Sequence, residues 1–190
     1  MRYSNFNSNK SLKEERLIFD NNLFVKFIEY LNYFVLIFTP LGFTILFFLL
    51  QLKNENFIML PISILLVIIS IFISGLISLQ FKKSFKFRKI INANYRKENM
   101  DLVELICDWN DWKILKKEDN SHVIKIENSK FGSHLGRELF VIYKENTVLL
   151  RCLTYIRFDQ INPFHWISQK RIENLIIEKI KLSTTTYNSN

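Results

Sequence analysis

Two uninterrupted apolar stretches, residues 31–50 and 57–81, constrain the fold of this chain more than any other feature. Neither stretch contains a charged residue, and a short polar turn at residues 52–56 separates them. An α-helix rises about 1.5 Å per residue and the apolar core of a bilayer is about 30 Å thick, so about twenty helical residues cross it. The sequence therefore predicts a membrane α-helical hairpin of two transmembrane helices, which occupies residues 23–81 with its flanks.

The distribution of charge predicts how this hairpin is oriented. The chain has a net charge of +8, and residues 82–97 carry seven basic and no acidic side chains. Lys and Arg close to a membrane span are retained on the cytoplasmic side. We therefore predict an integral protein of the inner (plasma) membrane with both termini in the cytoplasm. Cys107 and Cys152 then lie in a compartment that keeps thiols reduced.

The basic juxtamembrane segment, residues 82–98, also carries aromatic residues. This interleaving occurs in nucleic-acid binders and in helices at a membrane surface. Directly after a span it favours the membrane surface, where aromatic rings lie at the acyl boundary and cations contact anionic headgroups. We predict membrane lipids as partners and no nucleic acid. The predicted headgroup ligands are Lys82, Lys83, Lys86, Arg88 and Lys89.

A stripe of small side chains runs along the second apolar stretch. Ser70, Ser74 and Ser78 recur every four residues, which places them on one face of a helix. Faces of this kind let helix backbones approach closely in lipid. The stripe fits packing against the other span of the hairpin, packing in a homo-oligomer, or the lining of a water path. We favour packing within the hairpin.

The remaining residues predict a small cytoplasmic α+β domain at 99–182 in the order α-β-β-β-β-α. Asn99 and Ser168 are the expected N-caps of its two helices. Its strands are expected at 112–116, 122–127, 139–144 and 148–157, and the last two form a hairpin that turns on Glu145 and Asn146. In the final strand, alternation predicts one core face and one amphipathic face. By composition, residues 1–22 are expected to be a mobile cytoplasmic arm and residues 183–190 a disordered tail.

Several features of this domain occur together in uncharacterised small bacterial two-span membrane proteins. They are Trp109 and Trp112 after a helix, Gly136-Arg137-Glu138 in a loop, Asn146 in a hairpin turn, and a final helix from Ser168 to Ile180. By these residues, the segment 99–181 resembles the corresponding part of those bacterial membrane proteins. The resemblance implies a C-terminal α+β domain and no activity.

The polar part of the chain lacks the common signatures of catalysis. It has only Gly132 and Gly136, neither in a Gly-rich turn before a lysine, so no phosphate-binding loop is expected. Its three histidines and two cysteines lack the spacing of metal ligands. No nucleophile elbow is present. We predict neither cofactor nor metal, and an enzyme is the least expected class.

One surface for a ligand or partner is nevertheless predicted from the hairpin register. If the chain turns on Glu145 and Asn146, position 134 lies opposite position 157, so the two loops at the open end emerge together. The residues brought there are His134, Arg137, Glu138, Arg157, Asp159, His165 and Trp166. An ordinary solvated cluster of ion pairs would produce the same pattern.

These observations lead to two functional hypotheses. The first is a membrane-tethered binding or assembly module that meets a protein partner or a second copy of itself. The second is an oligomeric membrane effector or immunity-type protein, for which the serine stripe is the only support. Ion transport is disfavoured because neither span contains a charge.

Overall fold

The computed structural model describes residues 5–54, 58–91, 93–126, 136–156, 160–161 and 165–187. The chain divides into two compact units. Residues 21–83 form the first, which we call the helical hairpin. Met1–Asp20 and Ser84–Asn190 together form the second, which we call the sheet domain. The hairpin is thus inserted into the sequence of the sheet domain.

The helical hairpin consists of α2 (Leu23–Lys53) and α3 (Leu60–Ser84). Both helices are long and apolar enough to cross a membrane. Many of their large apolar side chains face outward, such as Phe34 at 57% and Phe72 at 66% exposure. The sequence prediction of two such helices is confirmed in length and composition.

Contacts between α2 and α3 include a hydrogen bond and an aromatic pair. Ser74 Oγ donates to the carbonyl oxygen of Ile37 at 2.8 Å. The ring centroids of Tyr33 and Phe81 are 3.6 Å apart.

Pro40 lies inside α2 and has no backbone N–H to donate. The hydroxyl of Thr44 donates to the carbonyl oxygen of Pro40 at 3.1 Å, a local bond of the kind that accommodates proline in an apolar helix.

The sheet domain is built on one antiparallel sheet. The short helix α1 (Ser8–Glu14) precedes the hairpin, and the rest follows it: β1 (Arg88–Ile91), α4 (Arg96–Trp109), β2 (Lys113–Glu118), β3 (Ser121–Ile126), β4 (Gly136–Lys144), β5 (Thr147–Ile156), β6 (Gln160–Ile161) and α5 (Trp166–Tyr187). The strand order is β1-β5-β4-β3-β2. The short strand β6 also pairs with β5, at residues 155–156, after the stretch that pairs with β1. The predicted antiparallel sheet and terminal helix are confirmed.

The β4–β5 hairpin has the predicted turn and register. Lys144 pairs with Thr147 across Glu145 and Asn146, and Gly136 pairs with Tyr155 at the open end. Glu145 has a φ of 40°, in the left-handed region that a tight two-residue turn requires. The opposition of positions 134 and 157 falls outside the described residues.

Both faces of the sheet are covered, so the domain has two cores. On one face α4 and α5 pack on the sheet, and Val148, Leu150 and Cys152 belong to this core. On the other face Leu149, Leu153 and Tyr155 pack in a second core. The sequence predicted this second face as merely amphipathic, because nothing local showed what covers it.

The cover of the second face is the segment before the hairpin. Phe6, Leu17 and Phe19 are buried in the second core together with Phe140. The backbone N–H of Leu17 also donates to the carbonyl oxygen of Phe85 at 2.8 Å. The prediction of a mobile arm is therefore wrong for residues 5–20. Their apolar side chains are anchored by partners that lie far away in sequence.

Three further boundaries differ from the sequence prediction. The helix expected to be capped by Asn99 begins at Arg96, and the buried Asn99 amide donates to the carbonyl oxygen of Asn94. The last helix begins at Trp166, so Ser168 lies inside its first turn and its hydroxyl donates to the His165 carbonyl. The same helix continues through Tyr187, into the part of the predicted tail that the structure describes.

Candidate functional site

A buried carboxylate, Glu173, lies between α5 and the edge of the sheet. Its side chain is fully buried. One oxygen accepts the backbone N–H of Cys152 at 3.0 Å and lies 3.4 Å from Arg151 Nη1. The other oxygen lies 3.4 Å from Arg88 Nη1. Two guanidinium groups therefore compensate the one buried negative charge, as buried ions require.

The strand order explains why a side chain is needed at this point. β1 pairs with residues 147–150 of β5, and β6 pairs with residues 155–156. Within the described residues, this edge of β5 has no strand partner between those two stretches. A buried backbone N–H must find an acceptor. The carboxylate of Glu173 supplies that acceptor for Cys152.

Two buried polar side chains, Thr154 and Gln169, and the half-buried Arg137 lie nearby on the helix-covered side. Arg137 Nε, Thr154 Oγ1 and Gln169 Nε2 are all buried, and none has a hydrogen-bond partner within the described part of the chain. Arg137 and Thr154 are directly opposite each other in the β4–β5 register. Such opposed residues have Cβ atoms about 4.5–5.5 Å apart. We call Arg137, Thr154 and Gln169 the donor cluster.

Helix α5 brings Gln169 to the other two members of the donor cluster. Near its end, Ser183 accepts a hydrogen bond from the Asn94 side chain, and the backbone N–H of the preceding residue, Ala93, donates to the carbonyl oxygen of Asn146 in the β4–β5 turn. Nearer its start, Glu173 contacts Cys152. The helix therefore runs antiparallel to β5. Four helical residues before Glu173 advance about 6 Å, and two strand residues beyond Cys152 advance about 6.6 Å. These similar rises place Gln169 toward the part of β5 that contains Thr154.

The cysteine beside this site is unsuited to nucleophilic chemistry. Burial is the main reason that the pKa of the Cys152 thiol is raised, and the negative charge of Glu173 raises it further. A reactive cysteine requires a thiolate, which a raised pKa disfavours. Within the described residues, no group of three His, Cys, Asp or Glu side chains is placed to hold a metal ion.

A second polar group lies between α4 and the sheet. The fully buried ring of His122 has Nδ1 2.8 Å from the hydroxyl of Tyr143, and its Nε2 is 3.3 Å from Glu104 Oε1. Burial lowers the pKa of His122 although Glu104 opposes this, and burial raises the pKa of Tyr143. The neighbouring Cys107 has a pKa raised by burial to about 12. The lowered pKa of His122 disfavours its protonated form, and the raised pKa of Cys107 disfavours a thiolate.

The structure separates the residues of the predicted ligand surface. Arg137 belongs to the donor cluster, whereas Glu138 follows it in β4 and belongs to the opposite face of the sheet. Trp166 is 41% exposed at the start of α5, with Lys170 Nζ 5.0 Å from its ring centroid, and His165 precedes it. The predicted site residues His134, Arg157 and Asp159 lie outside the described residues.

Sequence reasoning missed Thr154, Gln169 and Glu173. Gln169 and Glu173 share the stripe of α5 that contains Ile172, Ile176 and Ile180, and they are as buried as those isoleucines. Polar residues at apolar positions of a helical stripe were the available signal. Buried polar groups require partners, so this pattern marks either an internal ion pair or a binding site.

The predicted headgroup ligands divide into two groups. Arg88 and Lys89 lie in β1 rather than in an interfacial helix, and Arg88 contacts Glu173 while Lys89 Nζ is 2.8 Å from Glu15 Oε1. The side chain of Lys86 is exposed, and its backbone forms an isolated antiparallel β-bridge with that of Arg16. Lys82 and Lys83 are exposed in the last turn of α3. The side chains of Lys82, Lys83 and Lys86 are thus exposed to solvent, whereas those of Arg88 and Lys89 form ion pairs within the sheet domain.

The predicted packing stripe is largely enclosed by the hairpin. Ser70 and Ser74 are buried, as is Ser63 on the same helix, while Ser78 is half-buried. Of these, Ser74 hydrogen-bonds to α2.

No family model, curated protein or solved structure matches this chain.

Proposed function

We propose that this chain is an integral membrane protein in which the helical hairpin anchors the sheet domain as a cytoplasmic binding module. The observation that carries the proposal is the apolar outer surface of α2 and α3. Side chains such as Phe38, Leu46 and Ile68 are about half exposed to solvent in the isolated chain. Contiguous apolar surface of this extent is rare on soluble monomers, and lipid tails would cover it.

The discontinuous sheet domain supports a two-span topology. Residues on both sides of the hairpin contribute to its second core, including Phe6 before the hairpin and Phe140 after it. The two ends of the hairpin must therefore lie on the same side of the membrane. The basic residues Lys82 and Lys83 at the end of α3 favour the cytoplasmic side.

The polar interior of the domain supports a role in binding. Its buried thiols have raised pKa values, whereas the donor cluster offers hydrogen-bond donors that lack partners within the described residues. Packing of the domain alone does not explain these groups, because each buried donor without a partner costs free energy. Binding of a ligand or partner would offset that cost.

The serine stripe favours this proposal over the oligomeric effector. The buried side of the stripe faces the other helix of the hairpin, as the hydrogen bond from Ser74 to Ile37 shows. A stripe used in this way leaves less small-residue surface for contacts between copies. The effector alternative keeps no other support in the described residues.

Cysteine labelling tests the topology directly. Asn54→Cys places a thiol at the end of α2, in the turn of the hairpin, and Lys144→Cys places one at the exposed end of β4. The native Cys107 and Cys152 are buried and give little background. In intact bacterial cells, a membrane-impermeant maleimide should label Asn54→Cys, and it should label Lys144→Cys only after permeabilisation.

The opposite labelling pattern would overturn the orientation. Extraction of the protein from membranes by alkaline carbonate would overturn the proposal that it spans the bilayer. The Lys144→Cys variant in permeabilised cells serves as the control for thiol reactivity.

A further inference from the structure

We propose that the donor cluster binds the carboxylate group of a small anionic ligand. The inference rests on the proposed function of the sheet domain as a binding module and names the chemistry that the module recognises. Its basis is the convergence of a guanidinium, a hydroxyl and an amide group at one end of the β4–β5 hairpin, beneath α5.

The donor cluster calls for an acceptor. Thr154 is 0% and Gln169 1% exposed, so water at the surface does not reach them. The Arg137 Nε and Gln169 Nε2 atoms can only donate hydrogen bonds, and the Thr154 hydroxyl can do so as well. A buried donor without a partner costs about 1–3 kcal/mol. A ligand with two acceptor oxygens would satisfy the cluster.

The charges around the donor cluster are mainly positive, because Arg88, Arg137 and Arg151 lie near the single carboxylate of Glu173. Glu173 is already compensated by Arg88 and Arg151. Glu138 lies opposite Lys125 in the β3–β4 register. Arg137 is half-buried, its Nε has no hydrogen-bond partner, and no carboxylate in the described part of the chain forms an ion pair with it.

A carboxylate fits the donor cluster itself, in which Arg137 is the one charged member, better than a phosphate. It carries a single negative charge, whereas a phosphate monoester carries about −1.5 to −2 at neutral pH. It is also planar and has two oxygens, a shape that guanidinium groups bind well. The donor cluster supplies a cation and two neutral donors, which matches one carboxylate.

The experiment uses the full-length protein in detergent, with acetate as the probe. Unfolding in urea is followed at neutral pH with acetate, phosphate or chloride at matched ionic strength. Acetate should raise the unfolding midpoint more than the other two anions, because a ligand that binds only the folded state stabilises it. Arg137→Gln should weaken the apparent affinity for acetate by about tenfold or more, which corresponds to loss of one charge-assisted hydrogen bond. Arg171→Gln, on an exposed position of α5, is the matched control and should leave it unchanged.

The variants Thr154→Val and Gln169→Leu separate a binding site from an ordinary core. Without acetate they should be at least as stable as the wild type, because each removes a buried donor that lacks a partner. With acetate they should gain less stability than the wild type. This combination is expected only if the two side chains serve a ligand.

Three results would overturn the proposal. Equal stabilisation by acetate and chloride would show that no carboxylate site exists. Stronger stabilisation by phosphate would reassign the ligand chemistry. Loss of stability in both Thr154→Val and Gln169→Leu without acetate would show that internal water or protein groups already satisfy the donors. None of these results alters the cysteine labelling pattern, so failure of the carboxylate site is distinguishable from failure of the proposed topology.

Discussion

Replacing Phe6 by alanine tests whether the segment before the helical hairpin is part of the sheet domain. Phe6 is only 3% exposed, and its ring centroid lies 5.0 Å from that of Phe140 and 6.1 Å from that of Phe19. Truncating a buried phenylalanine costs about 3–5 kcal/mol. A domain has a free energy of unfolding of about 5–15 kcal/mol, so Phe6→Ala should remove a large share of it.

Tryptophan fluorescence offers an assay that reports on the sheet domain alone. The chain has three tryptophans, at positions 109, 112 and 166, and all of them lie outside the helical hairpin. In urea, the midpoint of the fluorescence change should fall strongly for Phe6→Ala and less for Phe6→Leu, which leaves a smaller cavity.

The matched control is Tyr95→Ala, because Tyr95 is 72% exposed. A surface substitution of this kind should change stability by no more than about 0.5 kcal/mol. If Phe6→Ala unfolds at the same urea concentration as Tyr95→Ala, residues 5–20 do not stabilise the domain and the reasoning above fails.

Four further predictions follow from buried polar groups and from the hairpin. Glu173→Gln should destabilise the sheet domain by about 3 kcal/mol in the same urea assay. This value is the low end of the range for breaking a buried ion pair, because Arg88 and Arg151 are both partly exposed. Burial lowers the pKa of His122 below 6.5, so on acidification the unfolded state takes up a proton at a higher pH than the folded state does. The free energy of unfolding should therefore fall as the pH drops through about 6.5, and His122→Gln should make it depend less on pH. Cys107, whose pKa is raised from 9.0 to about 12, should resist alkylation until urea unfolds the domain, and rapid alkylation of the folded protein would contradict its burial. Leucine at Ser70, Ser74 and Ser78 together should destabilise the hairpin without changing cross-linked stoichiometry, and collapse of a discrete oligomer to monomer would favour the effector alternative.

The elements that sequence alone predicted are those specified by local pattern. The apolar helices need only length and composition, and the β4–β5 hairpin needs only alternation and a two-residue turn at Glu145 and Asn146. The strand β1 was missed because it has only four residues, Arg88–Ile91, lies in the basic segment after α3 and pairs with the distant β5. Its two charged residues suggested headgroup contacts, whereas tertiary partners engage both.

The candidate site was only partly predictable for the same reason. The turn on Glu145 and Asn146 correctly directed attention to the open end of the hairpin, where Arg137 lies. Thr154 and Gln169 looked like ordinary members of a strand and a helix, because burial of a polar side chain depends on the packing of α5 against β5. That packing is tertiary, so no periodicity in a single segment indicates it.

Insertion of the hairpin into the domain also bears on how the domain folds. The second core requires Phe6 and Phe140 to meet, and closing so long a loop is entropically unfavourable and slow. The helical hairpin shortens that loop, because it brings Tyr33 of α2 and Phe81 of α3 into ring contact. The residues on either side then pair readily, as in the bond from Leu17 to Phe85. Formation of the hairpin should therefore precede completion of the second core, and a variant with a destabilised hairpin should refold its tryptophan environment more slowly.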